Sequence, residues 1–257
     1  MKVAASDYDG TLLRGGVIDT ETKEGIARWR VAGHKFGVVS GRDYGMLVPQ
    51  LKQYGVAFDY IVCNNGGIIR GRDEAVRFQA EIDPHALTAI AAQPTAQKSF
   101  HFAFSAADVT YLCHHSEGSW IEREAKEWDF PIVYIEESEI GRLTGIQQFS
   151  LGFHEPALSN ECAAVLNAKL GDKIHAFPNA CSLDITPAGI SKEQGIRTLL
   201  SVMGWDGAEV YAIGDETNDL PMLKAFDGYS LTTARKEIQT QAKQVFPSVG
   251  AMLDYFR

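Results

Sequence analysis

Short apolar runs alternate with helix-length stretches at both ends of the chain, and the alternation breaks off between them. Val3, Ala4 and Ala5 form a short strand that runs into a turn containing Gly10 and Thr11. Residues 20–32 read as a helix. Thr20 is its candidate cap, Ile26, Trp29 and Arg30 follow at helical spacing, and Gly33 closes it. Residues 35–39 are a strand, residues 44–54 a helix with Met46, Leu47 and Leu51 on one side, and residues 60–63 a third strand. The pattern resumes late, with a helix over 191–203, a strand over 209–213, a helix over 217–225 and a short strand over 228–231. Strands separated by helices at this spacing predict a parallel sheet with crossover helices.

The middle of the chain follows other rules. Residues 68–69 and 75–78 flank Arg70-Gly71-Arg72-Asp73-Glu74 and read as a hairpin. Phe100, Phe102 and Phe104 alternate with His101 and Ala103, which predicts a half-buried strand, and residues 109–114 pair with it. A helix over 120–128, a strand over 147–153 and a helix over 156–170 complete an α+β region with antiparallel pairing. The expected organisation is an α/β core made of residues 1–81 and 184–257, with residues 82–183 inserted as a second domain. The length of 257 residues suits two domains, and 45% apolar residues supply their cores.

Composition excludes several partners. The formal net charge is −9 and no Lys/Arg block occurs, which disfavours nucleic acid. Asp7 and Asp9 interrupt the apolar N-terminus too early for a signal peptide, and no run approaches the roughly 18 apolar residues of a membrane span. Cys63, Cys113, Cys162 and Cys181 form no C-x-x-C pair and no zinc spacing. The expectation is a soluble, cytoplasmic protein with reduced cysteines.

Four segments carry chemistry. Asp7-Tyr8-Asp9-Gly10-Thr11 follows the first strand. On extended backbone Asp7 and Asp9 face one side and Tyr8 the other. Two carboxylates thus meet at a strand's C-terminal end, where open α/β sheets hold ligands, although Asp-Gly is also common in plain turns. Ser40-Gly41-Arg42 ends the second strand, where a hydroxyl and backbone N–H groups suit a phosphate, and where Ser-Gly serves equally as a helix cap. Ser191 can cap the next helix with Gln194 at capping-box distance, and Lys192 lies in its first turn. The helix dipole disfavours a cation there, which points to an anionic partner for Lys192, against a plain solvated lysine. Gly214-Asp215-Glu216-Thr217-Asn218-Asp219 follows a strand and opens a helix. Its acids are hard-oxygen ligands of the kind magnesium favours, or else N-terminal capping groups.

In this order, each at a strand end, the four segments resemble the motifs of the haloacid dehalogenase superfamily, in its branch of Cof-type sugar-phosphate phosphatases. The insert resembles that family's α/β cap, so the resemblance spans nearly the whole chain. It implies a Rossmann-like parallel-sheet core and a phosphomonoesterase that takes a small phosphorylated metabolite. Asp7 would be the nucleophile and Asp9 the general acid and base. Mg2+ would be held by Asp7, the carbonyl of Asp9 and Asp215, with Asp219 a ligand or a support. Ser40 and Lys192 would hold phosphoryl oxygens, with Gly10, Thr11, Gly41 and Arg42 around them. Asn218 would orient Lys192 or touch the phosphate. Asn65 matches the family's Asn-Gly after the third strand, with Asn64 as its competitor.

The one departure in the second motif is Ser40 where many relatives have Thr. In the insert, His114, His115, Trp120 and Arg123 are candidates for substrate contact, against a plain structural role for each. A phosphomutase of the same fold and a non-catalytic phosphosugar-binding regulator are the rival readings. A single-domain phospho-accepting receiver does not suit the large insert. The expected state is a monomer or small homo-oligomer without membrane or nucleic-acid partners.

Overall fold

In chain order the computed structural model has β1 (Lys2–Ser6), α1 (Thr20–Val31), β2 (Lys35–Val39), α2 (Tyr44–Gln53), β3 (Tyr60–Cys63), β4 (Ile68–Gly71) and β5 (Val76–Gln79). There follow α3 (Pro84–Ala91), β6 (His101–Ser105), β7 (Thr110–Cys113), α4 (Trp120–Trp128), β8 (Ile132–Tyr134), β9 (Gln148–Gly152), α5 (Pro156–Leu170), β10 (Ile174–Asn179) and β11 (Ser182–Pro187). The chain ends with α6 (Lys192–Val202), β12 (Glu209–Ile213), α7 (Leu220–Ala225), β13 (Tyr229–Leu231), α8 (Lys236–Gln239), β14 (Gln244–Phe246) and α9 (Val249–Phe256). The structure describes residues 1–116, 119–128 and 130–257. Among them no helix is long and apolar enough to cross a membrane. All four cysteines are free thiols.

Two compact units form. The first comprises Met1–Ser40, Gln50–Phe78 and Ser191–Arg257, the second Gly41–Pro49 and Gln79–Ile190. The first is built on an eight-stranded sheet in the order β14-β13-β12-β1-β2-β3-β4-β5. Its strands from β14 to β3 are parallel, and β4 returns antiparallel to β3. Strands β1, β2 and β3 are buried almost throughout, as parallel strands covered on both faces must be. Helices α1 and α9 pack together, as do α6 and α7. The chain leaves β1 towards β2 on one side and returns to it at β12 on the other, so the switch point of the sheet lies between β1 and β12.

Local chemistry explains the helix ends. The cap of α1 is Asp19, not Thr20: its carboxylate accepts from the Thr22 N–H at 2.6 Å. In α6 the Ser191 hydroxyl accepts from the Gln194 N–H at 3.1 Å, while the Gln194 side chain turns to Thr198 and leaves the capping box half made. The helix buries Lys192, Gly195, Ile196 and Leu199, one face at helical spacing.

The second unit holds a six-stranded sheet in the order β10-β11-β9-β6-β7-β8, antiparallel except between β7 and β8. One face carries Phe102, Phe104, Phe149, Leu151, Leu183 and Ile185 under helices α3 and α5. Strand β6 is buried at every position rather than half-buried, because Met46, Leu112, Ile121 and Phe130 cover Ala103 on its other face. Phe100 lies just before the strand and is only partly buried, with its ring against His101 and His154.

His101 is wholly buried, its Nδ1 3.1 Å from the Ser119 hydroxyl, and burial, with His115 adding, lowers its pKa to about 3. The unfolded chain therefore binds the extra proton between pH 6.5 and that value, and folding stability falls as pH drops through the window. At pH 5 this one group costs about 2 kcal/mol. Denaturant unfolding of His101→Gln is expected to show a shallower loss of stability from pH 7 to pH 5 than the unsubstituted protein. Equal slopes would contradict the assignment.

Candidate active site

The first unit gathers its acids at the switch point of the sheet. Ser6 pairs with Ile213, and the next N–H, that of Asp7, donates to the Ile213 carbonyl at 2.9 Å. Asp7 and Asp215 therefore leave neighbouring strands at the same level. Tyr8 turns the other way, fully buried, and its hydroxyl donates to Gln50 at 3.1 Å. Gly10 adopts φ +82°, and a Cβ there would run into the Asp215 carboxylate. Thr11 donates its hydroxyl proton to Asp215 Oδ1 at 2.5 Å. Asp9, between them in sequence, is exposed.

Lys192 is the hub. It is 3% exposed, and its Nζ lies 2.7 Å from Asp7 Oδ1 and 2.7 Å from Asp219 Oδ1. Those two carboxylates outweigh the unfavourable dipole at the first turn of α6. The helix can come this close because two glycines face each other. A Cβ on Gly195 would lie 2.8 Å from the Cα of Gly66, and one on Gly66, at φ +106°, would strike the Ser191 carbonyl. Asp219 is fully buried, and its Oδ2 accepts from the N–H groups of Asp215 and Glu216, both at 3.0 Å. Both its oxygens are thus engaged in holding Lys192 and the Asp215 loop.

Ser40 is buried at the end of β2. Its N–H donates to Val62 and its carbonyl accepts from the Asn65 N–H, each at 2.9 Å. The cap of α2 is Asp43, whose Oδ1 accepts from the Met46 N–H at 2.8 Å, so the cap role open to Ser40 in the sequence is taken by another residue. Asn64 and Asn65 both adopt φ +52°, and of the two it is Asn65 whose backbone ties to Ser40. The side chain of Asn64 is buried with neither polar atom hydrogen-bonded. Asn218 lies half-buried in the turn Thr217–Asp219, and among the described residues no hydrogen bond joins its side chain to Lys192.

Gly41 and Arg42 group with the second unit, where Arg42 pairs with Glu124 at 2.7 Å. In that unit His114 stacks on Phe102 and bonds Glu137 and the Ser99 carbonyl. His115 pairs with Glu122, Trp120 packs against the Ile121 cluster, and Arg123 is exposed. Sequence reasoning missed Asp43 as the cap of α2. Asp43 stood two residues beyond the Ser-Gly pair, in place to cap the helix.

Three carboxylates crowd around one ammonium here, and two of them are bonded to it. Burial raises the pKa of Asp7 well above the usual carboxylate range, Asp219 adds to it and Lys192 pulls against it. Burial also raises Asp215. For Lys192 burial works against the charge, but Asp219 and Asp7 override it and hold the proton more tightly than usual. The surplus of negative charge is what a divalent cation would relieve.

The donor set fits such an ion. Oxygens of Asp7, Asp215 and Asp219 lie within 4.8 Å of one another. Lys192 and Thr11 take one oxygen each of Asp7 and Asp215, and the second oxygen of each has no hydrogen-bond partner among the described residues. Hard carboxylate oxygens at such a cluster suit magnesium.

Comparison with known proteins gives a consistent relationship. Residues 4–250 match the family described as haloacid dehalogenase-like hydrolase. The chain is 22% identical over 251 residues to the 5-amino-6-(5-phospho-D-ribitylamino)uracil phosphatase YbjI of Escherichia coli, covering 95% of this chain and 89% of that protein. It is 23% identical over 270 residues to the pyridoxal phosphate phosphatase YbhA of Escherichia coli, covering 95% and 92%. Its fold is similar to that of the subclass IIB sugar phosphatase BT4131, with a TM-score of 0.78 at 20% identity over 100% of this chain and 99% of that one.

The charge balance has opposite consequences for two substitutions. In chelator, Lys192→Met leaves buried carboxylates uncompensated and is expected to destabilise the protein by about 3–5 kcal/mol. Asp7→Asn removes a repelled charge and is expected to raise the melting temperature at neutral pH. Thermal unfolding of both checks the sign, and a destabilised Asp7→Asn would contradict the crowding of charge.

Proposed function

Because the chain belongs to the haloacid dehalogenase-like hydrolases, we propose that it is a magnesium-dependent phosphomonoesterase. It acts on small phosphorylated metabolites, sugar phosphates among them, through a phosphoryl group carried on Asp7. The observation that carries this reading is the buried Lys192 ammonium shared between Asp7 and Asp219, with Asp215 beside them. The names of YbjI, YbhA and the sugar phosphatase BT4131 support the substrate class.

Asp7 supplies the attacking oxygen, and its bond to phosphorus forms as the ester oxygen leaves. Asp9, exposed beside Asp7, delivers the proton to the departing alcohol. It then takes a proton from the water that attacks phosphorus and frees the Asp7 carboxylate. Lys192 stabilises the phosphoryl oxygens while Asp219 fixes its direction. Ser40 binds a remaining phosphoryl oxygen, and Asn65 and Asn218 complete the set. Asp7, Asp215 and the carbonyl of Asp9 would hold magnesium. Bound there, the ion neutralises charge on the transferring group. Asp219 supports this set from behind, because both its oxygens are already bonded. The insert expected at residues 82–183 acts as the cap that recognises the substrate beyond its phosphate.

Phosphate release across a panel of metabolite esters, with and without magnesium, tests the reading. Hydrolysis is expected only with magnesium, and Asp7→Asn is expected to lose about a thousandfold or more. Asp9→Asn is expected to lose about 10²–10⁴-fold with an unactivated alkyl phosphate. Full turnover by either variant would sink the assignment, and transfer to a second hydroxyl without phosphate release would point to a mutase.

A further inference from the structure

Asp215 is held at both ends. Its N–H donates to Asp219 Oδ2 at 3.0 Å. Its Oδ1 takes the proton of the Thr11 hydroxyl at 2.5 Å. Its other oxygen, Oδ2, lies against the backbone of Gly10: a Cβ there would sit 2.3 Å from Oδ2 and 2.9 Å from Cγ. The carboxylate is thus tied at one oxygen and walled at the other, and Oδ2 alone is without a hydrogen-bond partner among the described residues.

Thr11 is itself fixed. It is 1% exposed, and its N–H donates to the Tyr8 carbonyl at 3.3 Å. The Leu13 N–H donates to the same carbonyl at 2.8 Å, and the Gly10 N–H reaches the Leu13 carbonyl at 2.9 Å. A hydroxyl has one proton to give. Thr11 gives its proton to Asp215, so the side chain serves the carboxylate.

Divalent cations differ in what they ask of a carboxylate. Calcium gathers about six to eight oxygens in flexible geometry and often takes both oxygens of one carboxylate. Magnesium is smaller, demands a near-ideal octahedron and keeps several of its waters. To grip an ion with both oxygens, a carboxylate must turn its O–C–O edge towards it. At Asp215 that turn would strain the Thr11 bond and press the carboxylate on Gly10. Binding through Oδ2 alone requires neither.

We propose that Thr11 sets the metal preference of the site: by holding Asp215 to a single free oxygen, it favours magnesium over calcium. This rests on the magnesium site of the reading above. Thr11 is a positioning residue that acts through Asp215.

The test titrates the full chain, without substrate, with magnesium chloride and separately with calcium chloride, by calorimetry. The readout is the ratio of the two dissociation constants, and thermal unfolding in chelator is recorded alongside. Thr11→Val keeps the shape and removes the hydroxyl. It is expected to bind magnesium on the order of tenfold more weakly and calcium no more weakly than before, so the preference falls by a similar factor. Thr11→Ser keeps the hydroxyl and is expected to keep the preference. A merely structural Thr11 would weaken both ions alike. An unchanged ratio in Thr11→Val, an equal loss for both ions, or the same shift in Thr11→Ser would overturn the proposal.

Should Thr11→Val fail to fold, Thr11→Cys decides, because its thiol is only a weak donor. Its preference for magnesium is expected to fall below that of Thr11→Ser, and a matching preference would overturn the role. An unsubstituted chain that binds neither ion would refute the magnesium site, and the role of Thr11 with it. Because the titration contains no ester, the phosphatase reading is judged separately. A preference that depends on Thr11 in a chain releasing no phosphate upholds this proposal and refutes that reading. Magnesium-dependent hydrolysis with an indifferent Thr11 refutes this proposal alone.

Discussion

The buried ammonium of Lys192 is the contact on which the arrangement turns. It comes from the first turn of α6, far along the chain from β1, and meets Asp7 and Asp219 at 2.7 Å each. Without it three carboxylates would be crowded at the ends of β1 and β12 with nothing to offset them. The same contact joins the second half of the chain to the first, so the site forms only when the sheet closes across the β1–β12 ladder. Gly66 and Gly195 set how near α6 can come, and Asp219 sets the direction from which the ammonium is held. Fold and chemistry thus share one constraint.

A single positive charge among three acids is an unfinished balance. Asp7 and Asp215 each keep one carboxylate oxygen without a partner among the described residues, whereas both oxygens of Asp219 are bonded. That difference separates the two acids suited to hold a cation from the one that holds the scaffold. Oxygen ligands of magnesium need open lone pairs, and phosphoryl transfer needs charge neutralised at the moment it develops.

Much of this was legible in the sequence because it lies at strand ends. The parallel alternation and the demand of Lys192 for an anion both follow from local rules. What was not legible depends on partners distant in sequence. The half-buried reading of β6 failed because segment Gly41–Pro49 brings Met46 onto Ala103, and alternation in one strand carries no trace of that cover. Thr20 lost the cap of α1 to Asp19 by one residue, since either side chain could reach the first turn. The role of Asp219 could not be separated from that of Asp215 by residue type, because only the bonds to the N–H groups of Asp215 and Glu216 distinguish them.

The central claim is that the carboxylate of Asp7 takes the phosphoryl group. Borohydride reduces an acylphosphate to an alcohol and leaves a free carboxylate untouched. A reaction quenched during turnover, reduced and digested should therefore yield homoserine in place of aspartate at position 7, found by mass spectrometry of that peptide. Homoserine at position 7 only when substrate and magnesium were present is the expected result. An unmodified Asp7 during active turnover, or homoserine at another acid of the cluster, would contradict it.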